Sequence, residues 1–334
     1  MSETYEPGAT EGPPEPPTQD LQHNDLLYVF IGPDGLRAGW GLAVFLIVRE
    51  ILKSVIYPLF MKLFPVSIRS HGLYRPQGLL VFEFAALLSV LIATLVMARI
   101  ERRSVPTYGL APPHGLRYFL AGLGWGLALL SLLVGGLRLA GVLSFDGWQL
   151  SSQGALRYGA AWLVGFLLVG LFEECLSRGY LQFTLARGLR GLYRRLGVTR
   201  TDAAAFWTAA LITSFGFGFG HIGNTGESAI GLIAAGLIGL VFCLSLRRTG
   251  SLWWAIGFHA SWDWAQSFFY GVADSGTMAQ GHLLATHPVG RSILSGGSTG
   301  PEGSLFVLPV IAVAAAVVLV TLPMNRIQDT RDTQ

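Results

Sequence analysis

The chain has 334 residues, of which 51% are hydrophobic and 13% charged, with a formal net charge of +3 at pH 7. A soluble domain carries about 25% charged residues, so this composition excludes an ordinary soluble protein and points to lipid as the solvent. The small net charge, with no basic block interleaved with aromatics, argues against a nucleic-acid partner.

Residues 1–36 read as a disordered acidic tail. Glu3, Glu6, Glu11, Glu15, Asp20 and Asp25 alternate with prolines from Pro7 to Pro17. A secretory signal would open with basic residues followed by an apolar run. Beyond the tail, hydrophobic runs of the roughly 20 residues needed to cross a bilayer recur along the chain. They predict eight spans, at about 38–63, 78–100, 116–140, 157–187, 203–224, 227–247, 251–272 and 304–324. The expected class is therefore all-α, a polytopic membrane bundle around an intramembrane polar cavity.

These spans divide into N-terminal helices at 37–150, a core at 151–275, a flexible Gly/Ser/Thr-rich loop at 276–303, and a last helix with its tail at 304–334. The fourth span is long, and charges after Leu171 take its C-terminal part out of the core. The basic stretch from Arg187 to Arg200 reads as an amphipathic interfacial turn. Arginines cluster on alternate connections, at 99–117, 187–200, 247–248 and 326–331. By the positive-inside bias these connections are cytoplasmic. Both termini then lie in the cytoplasm, and the expected location is a bacterial inner membrane. Cys175 and Cys243 fall in apolar segments, which suits small packed residues rather than a disulfide framework. Trp40, Trp125, Trp162, Trp207, Trp253 and Trp254 near span ends suggest interfacial anchors. Gly216 and Gly220 form a GxxxG that would let helices approach beside His221.

Ionisable residues inside spans are costly and need a reason. Arg49, Glu50 and Lys53 in span one, with Glu83 in span two, nearly cancel in charge, and an internal structural ion network is expected. The other group comes from three separate spans: Glu173, Glu174 and Arg178; then His221; then His259 and Asp263. Glu174 and Arg178 stand at i, i+4 and can pair. Glu173 points about 100° away and stays free. His259 and Asp263 repeat the i, i+4 spacing. A carboxylate beside an imidazole can activate water, and peptide hydrolysis also needs donors at the developing oxyanion. Glu173 with His221 would supply the first, and His259 held by Asp263 the second.

These residues spell Glu173-Glu174-Cys-Leu-Ser-Arg178, Phe217-Gly-Phe-Gly-His221 and His259-Ala-Ser-Trp-Asp263. In that order they resemble the EExxxR, FxxxH and HxxxN/D motifs of the CAAX protease and bacteriocin-processing (CPBP) family. Arg178-Gly179-Tyr180-Leu181-Gln182 and Arg248-Thr249-Gly250-Ser251-Leu252-Trp253 look like the family's flanking sequence. The resemblance covers about residues 155–272.

It implies an intramembrane endopeptidase in which Glu173 and His221 activate water and His259 with Asp263 forms the oxyanion site, Glu174 and Arg178 supporting them. Asp263 stands where many members have Asn, so it is expected to orient His259 rather than donate directly. The substrate would be a peptide or protein, with a membrane-anchored or prenylated one implied by the family name. No cofactor is expected. Zinc is the alternative, with Glu173, His221 and His259 as three ligands and an open fourth position, although no HExxH is present. Two rival readings remain: a non-catalytic immunity or scaffold protein, and a proton-coupled transporter. Oligomeric state is not fixed by these patterns.

Overall fold

A computed structural model describes residues 29–32, 35–110 and 114–324. The acidic stretch at 1–28 lies outside the described residues, as do Arg326 and Arg331. The fold is built mainly of α-helices: α1 Ala38–Leu63, α2 Pro76–Ile100, α3 Gly115–Leu139, α4 Ser152–Glu174, α5 Gln182–Arg195, α6 Thr201–Phe219, α7 Ala229–Thr249, α8 Trp253–Trp264 and α9 Val307–Thr321. In lipid every backbone polar group must be satisfied within the protein, which is why such sequences form helices.

Local chemistry sets the helix ends. Pro76 opens α2, where its missing N–H costs nothing. The Ser151 hydroxyl accepts from Gly154 N at 3.3 Å to start α4, and Ser228 accepts from Gly231 N at 3.1 Å to start α7. Among the described residues, Pro76–Ile100, Gly115–Leu139, the continuous rod Ser152–Arg195 and Ala229–Thr249 are long and apolar enough to cross a membrane. Val307–Thr321 is a shorter apolar helix. Large apolar side chains point outward, Ile51 and Val55 on α1 and Leu120 on α3 being more than half exposed, which suits lipid contact. The chain is an all-α polytopic membrane protein.

The 44-residue rod Ser152–Arg195 spans ~66 Å at 1.5 Å per residue, twice a hydrocarbon core. Its far end therefore leaves the membrane. The stretch from Arg187, expected as an interfacial turn, continues as helix to Arg195, and only 196–200 turn back toward α6.

α8 lies at the centre, with Trp254, Ile256 and Phe258 buried. α3 runs against it through Gly122 and Gly126. A Cβ on Gly122 would stand 2.1 Å from Trp254 O, and one on Gly126 2.3 Å from Phe258 O. The GxxxG of the sequence reading does not make this crossing, since a Cβ on Gly216 meets open space. Gly122→Ala is therefore expected to lower stability by about 1–3 kcal/mol through overpacking. Gly216→Ala should be neutral or stabilising by up to about 1 kcal/mol, because alanine favours helix. Thermal unfolding of the two purified variants in one detergent checks the contrast. Trp162 and Trp254 are likewise core residues rather than interfacial anchors.

The connection between α8 and α9 is built, where a flexible loop was expected at 276–303. Strand Leu284–Pro288 pairs antiparallel with Leu143–Trp148. Tyr74 N donates to Met278 O and Gln280 N to Tyr74 O, each at 2.8 Å. Trp162 Nε1 donates to Gln280 O at 3.0 Å. A segment lying over polar cavity walls has to satisfy its backbone groups, and here strands and tryptophan do so.

Candidate active site

The first motif sits where α4 gives way to a π-helical stretch, Cys175–Leu181, and the third is followed by another, Ala265–Phe269. Such local widening of a helix re-aims side chains and often marks functional sites. The first is clamped from outside by Glu101 at the end of α2, which accepts from Tyr180 Oη at 3.2 Å and Arg187 Nη2 at 3.0 Å.

Within this frame Glu174 and Arg178 are fully buried, and Arg178 Nη1 donates to Glu174 Oε1 at 2.8 Å, as the i, i+4 spacing predicts. The guanidinium lies 4.7 Å from the Phe217 ring centre and 5.5 Å from that of Phe242. Aromatic faces replace part of its lost hydration. α7 can pass this close because Gly239 has no side chain: a Cβ there would stand 2.4 Å from Arg178 Nη2.

Glu174 Oε1 also meets His259 Nδ1 at 3.0 Å. A carboxylate paired with arginine only accepts, so Nδ1 carries the proton of that bond. The other nitrogen, Nε2, lies 3.4 Å from Glu173 Oε2 and 3.5 Å from Asp263 Oδ2. The sequence reading had Asp263 orienting His259. The hydrogen bond that orients it comes from Glu174, and Asp263 stands on the opposite side of the ring. A rotation about the helix axis decides which acid reaches which nitrogen, and spacing along one helix cannot supply it.

His221 lies just past the end of α6, in the turn after Gly220, rather than inside a span. Its Nδ1 is 3.0 Å from Phe217 O, and its ring packs edge-on against Phe217 at 4.9 Å. A carbonyl can only accept, so Nδ1 donates and Nε2 keeps its lone pair. Glu173, His221, His259 and Asp263 all line one cavity of about 230 Å³. Glu173 and His221 both line this space, and no hydrogen bond or ion pair joins them. Four of the six expected site residues thus face the cavity, while Glu174 and Arg178 stand behind its wall.

The cavity also reveals residues outside the motifs. Glu83, expected in an ion network with span one, lines it instead. Arg49 and Lys53 pair with their own neighbour Glu50. The loop contributes Asp274 and Glu302. Asp274 Oδ2 accepts from Ser267 Oγ at 3.0 Å, and Glu302 accepts from both the N–H and the hydroxyl of Ser275. Lining residues from connecting segments, such as Ile68, Tyr74, Asn224, Asp274 and Glu302, all come from the end opposite the arginine-rich connections.

Burial first, then the Asp263 charge, pushes the Asp274 carboxyl well above the usual carboxylate range. Burial first, then Asp274 and Glu227, pushes Glu302 up to about 8 from an ordinary 4.5. The folded state therefore holds a proton on Glu302 that the unfolded chain releases between pH 4.5 and 8. Its contribution to stability is complete below the lower value and is lost as pH rises through the upper one. Glu302→Gln should raise the melting midpoint by about 2–4 °C at pH 8.5, with the gain vanishing by pH 5. Melting curves of both proteins across that range check the sign.

Among the described residues no three His, Cys, Asp or Glu side chains are grouped so as to hold a metal ion. Glu173, His221 and His259, the expected zinc set, all line the cavity, where His259 Nδ1 is taken by Glu174 and His221 Nδ1 lies against a carbonyl, leaving Nε2 of each ring available.

The family described as type II CAAX prenyl endopeptidase Rce1-like matches the chain over residues 156–265. That stretch contains the motif residues and none of Glu83, Asp274 or Glu302. No curated protein matches the chain.

Proposed function

From the premise that residues 156–265 form an Rce1-like domain, we propose that the chain is a membrane-embedded endopeptidase whose attacking water is prepared by Glu173 and His221. The observation that carries this reading is the arrangement around His259. Its Nδ1 is anchored on the arginine-held Glu174 at 3.0 Å, and its Nε2 faces the cavity 3.4 Å from Glu173.

A water in the space between Glu173 and His221 would hydrogen-bond to His221 Nε2 through one O–H and give its other proton to the Glu173 carboxylate. Its oxygen then adds to a scissile carbonyl, and His259 Nε2–H donates to the developing oxyanion. Glu174 holds the ring at Nδ1, and Asp263 and Glu173 stand beside Nε2. As the C–N bond breaks, Glu173 passes its proton to the leaving nitrogen. The cycle needs no group beyond water and these side chains.

The substrate would be a peptide segment presented within or beside the bilayer, and a prenylated one is among those the family's name implies. The arginine-rich connections favour a bacterial inner membrane with both termini cytoplasmic. The test is a comparison of membrane proteomes from cells carrying wild-type or Glu173→Gln protein. A partner that accumulates uncut only with the variant is the expected result. Identical proteomes, together with no cleavage of a diverse peptide library by wild-type protein in liposomes, would sink the reading.

A further inference from the structure

The charges that line the cavity do not balance. Glu83, Glu173, Asp263, Asp274 and Glu302 reach it from α2, α4, α8 and the α8–α9 connection, and among the described residues no lysine or arginine lines it. His259 serves as counter-charge to Glu173 and Asp263, and also to Glu174 behind the wall. Asp274 and Glu302 have only serine donors. Glu83 is more than nine-tenths buried, and its Oε2 has no hydrogen-bond partner. A buried carboxylate oxygen left unpartnered is costly, and such a group on a cavity wall calls for an unmet donor. Among the described residues these carboxylates do not group so as to hold a metal ion. A basic side chain, which can donate to several separate carboxylates, fits such a lining.

We propose that the cavity is a cation-accepting subsite that selects peptide substrates carrying a lysine or arginine side chain next to the scissile bond, read by Glu83, Asp274 and Glu302. The inference rests on the endopeptidase reading and names its substrate class. Because the lining connections lie at the end away from the arginine-rich ones, the basic side chain enters from that face. A substrate offering a free carboxylate at the same place would meet acids where it needs a cation, so negative groups are disfavoured.

The test uses the full-length protein in liposomes of zwitterionic lipid and a peptide series in which one position is lysine, arginine, citrulline or norleucine. Wild-type protein should cleave the lysine and arginine peptides at least about tenfold faster, as kcat/KM, than the neutral pair, a difference of about 1.4 kcal/mol. Glu302→Gln keeps an acceptor for Ser275 but cannot ionise against a bound cation. It and Glu83→Gln should shrink that ratio severalfold, lowering cleavage of the lysine and arginine peptides more than that of the norleucine peptide. Cleavage with no preference, or a preference untouched by both variants, overturns the subsite and leaves the protease reading standing.

Binding of the same peptides to the Glu173→Gln protein, followed by fluorescence anisotropy, separates the two ideas. Charge-selective binding that Glu302→Gln weakens, without cleavage by wild type, supports the subsite and sinks the protease. Charge-blind binding or none, without cleavage, sinks both.

Discussion

Glu173→Gln should lower kcat for peptide hydrolysis by ~10²–10⁴-fold, the usual worth of a general base, while the protein melts at the wild-type temperature. The side chain stands at the cavity wall, 22% exposed, and its ion-pair partner is His259 at 3.4 Å. Glutamine keeps the shape and loses only the ability to take a proton. Because that proton moves in the transition state, the loss should fall on kcat with little change in KM. His221→Ala should behave similarly, because its Nε2 lone pair is the other acceptor the proposed water needs. Rate measurements on a cleaved peptide, paired with melting curves, check both variants. A Glu173→Gln protein that retains full activity would remove the carboxylate from the chemistry.

The neighbouring glutamate should answer to a different measurement. Arg178→Ala is expected to cost about 3–5 kcal/mol of stability, the range for breaking a buried ion pair from one side. It leaves Glu174 fully buried with His259 as its sole charged partner. It also empties the space between the Phe217 and Phe242 rings. Lysine is no substitute, since a point charge on a flexible stem cannot reproduce the planar guanidinium's contact with both rings. The double variant Glu174→Gln with Arg178→Met should recover part of the loss, because no uncompensated charge then remains buried. Unfolding in bicelles, scored as a double-mutant cycle, measures the coupling. A neutral Arg178→Ala variant would show that the pair does not fasten this part of the fold.

The two glutamates stand next to each other in sequence and differ in everything that matters here. One is sealed against an arginine and the other faces the cavity, as the 100° step of a helix requires. That division was legible from spacing alone, and so was the pairing of Glu174 with Arg178. The role expected of Glu83 was not. It sits in an apolar span with no motif around it, and grouping it with Arg49, Glu50 and Lys53 was the natural reading of nearly cancelling charges. Only its unpartnered oxygen on the cavity wall separates it from that group. Its being the lone acid of that span was the one available signal.

Hydropathy, charge pattern and motif spacing determined by themselves that lipid is the solvent, that the chain is helical, and that three stretches carry a shared polar chemistry. These follow from local properties: how many apolar residues occur in a row, and which positions share a helix face. The tertiary structure decided which acid holds His259, that His221 sits in a turn, that Gly122 and Gly126 make the closest crossing, and that a Gly-rich loop brings Asp274 and Glu302 to the cavity. Each of these depends on the rotation and tilt of one helix against another. Those variables are set by packing across the whole bundle, and no window of sequence contains them.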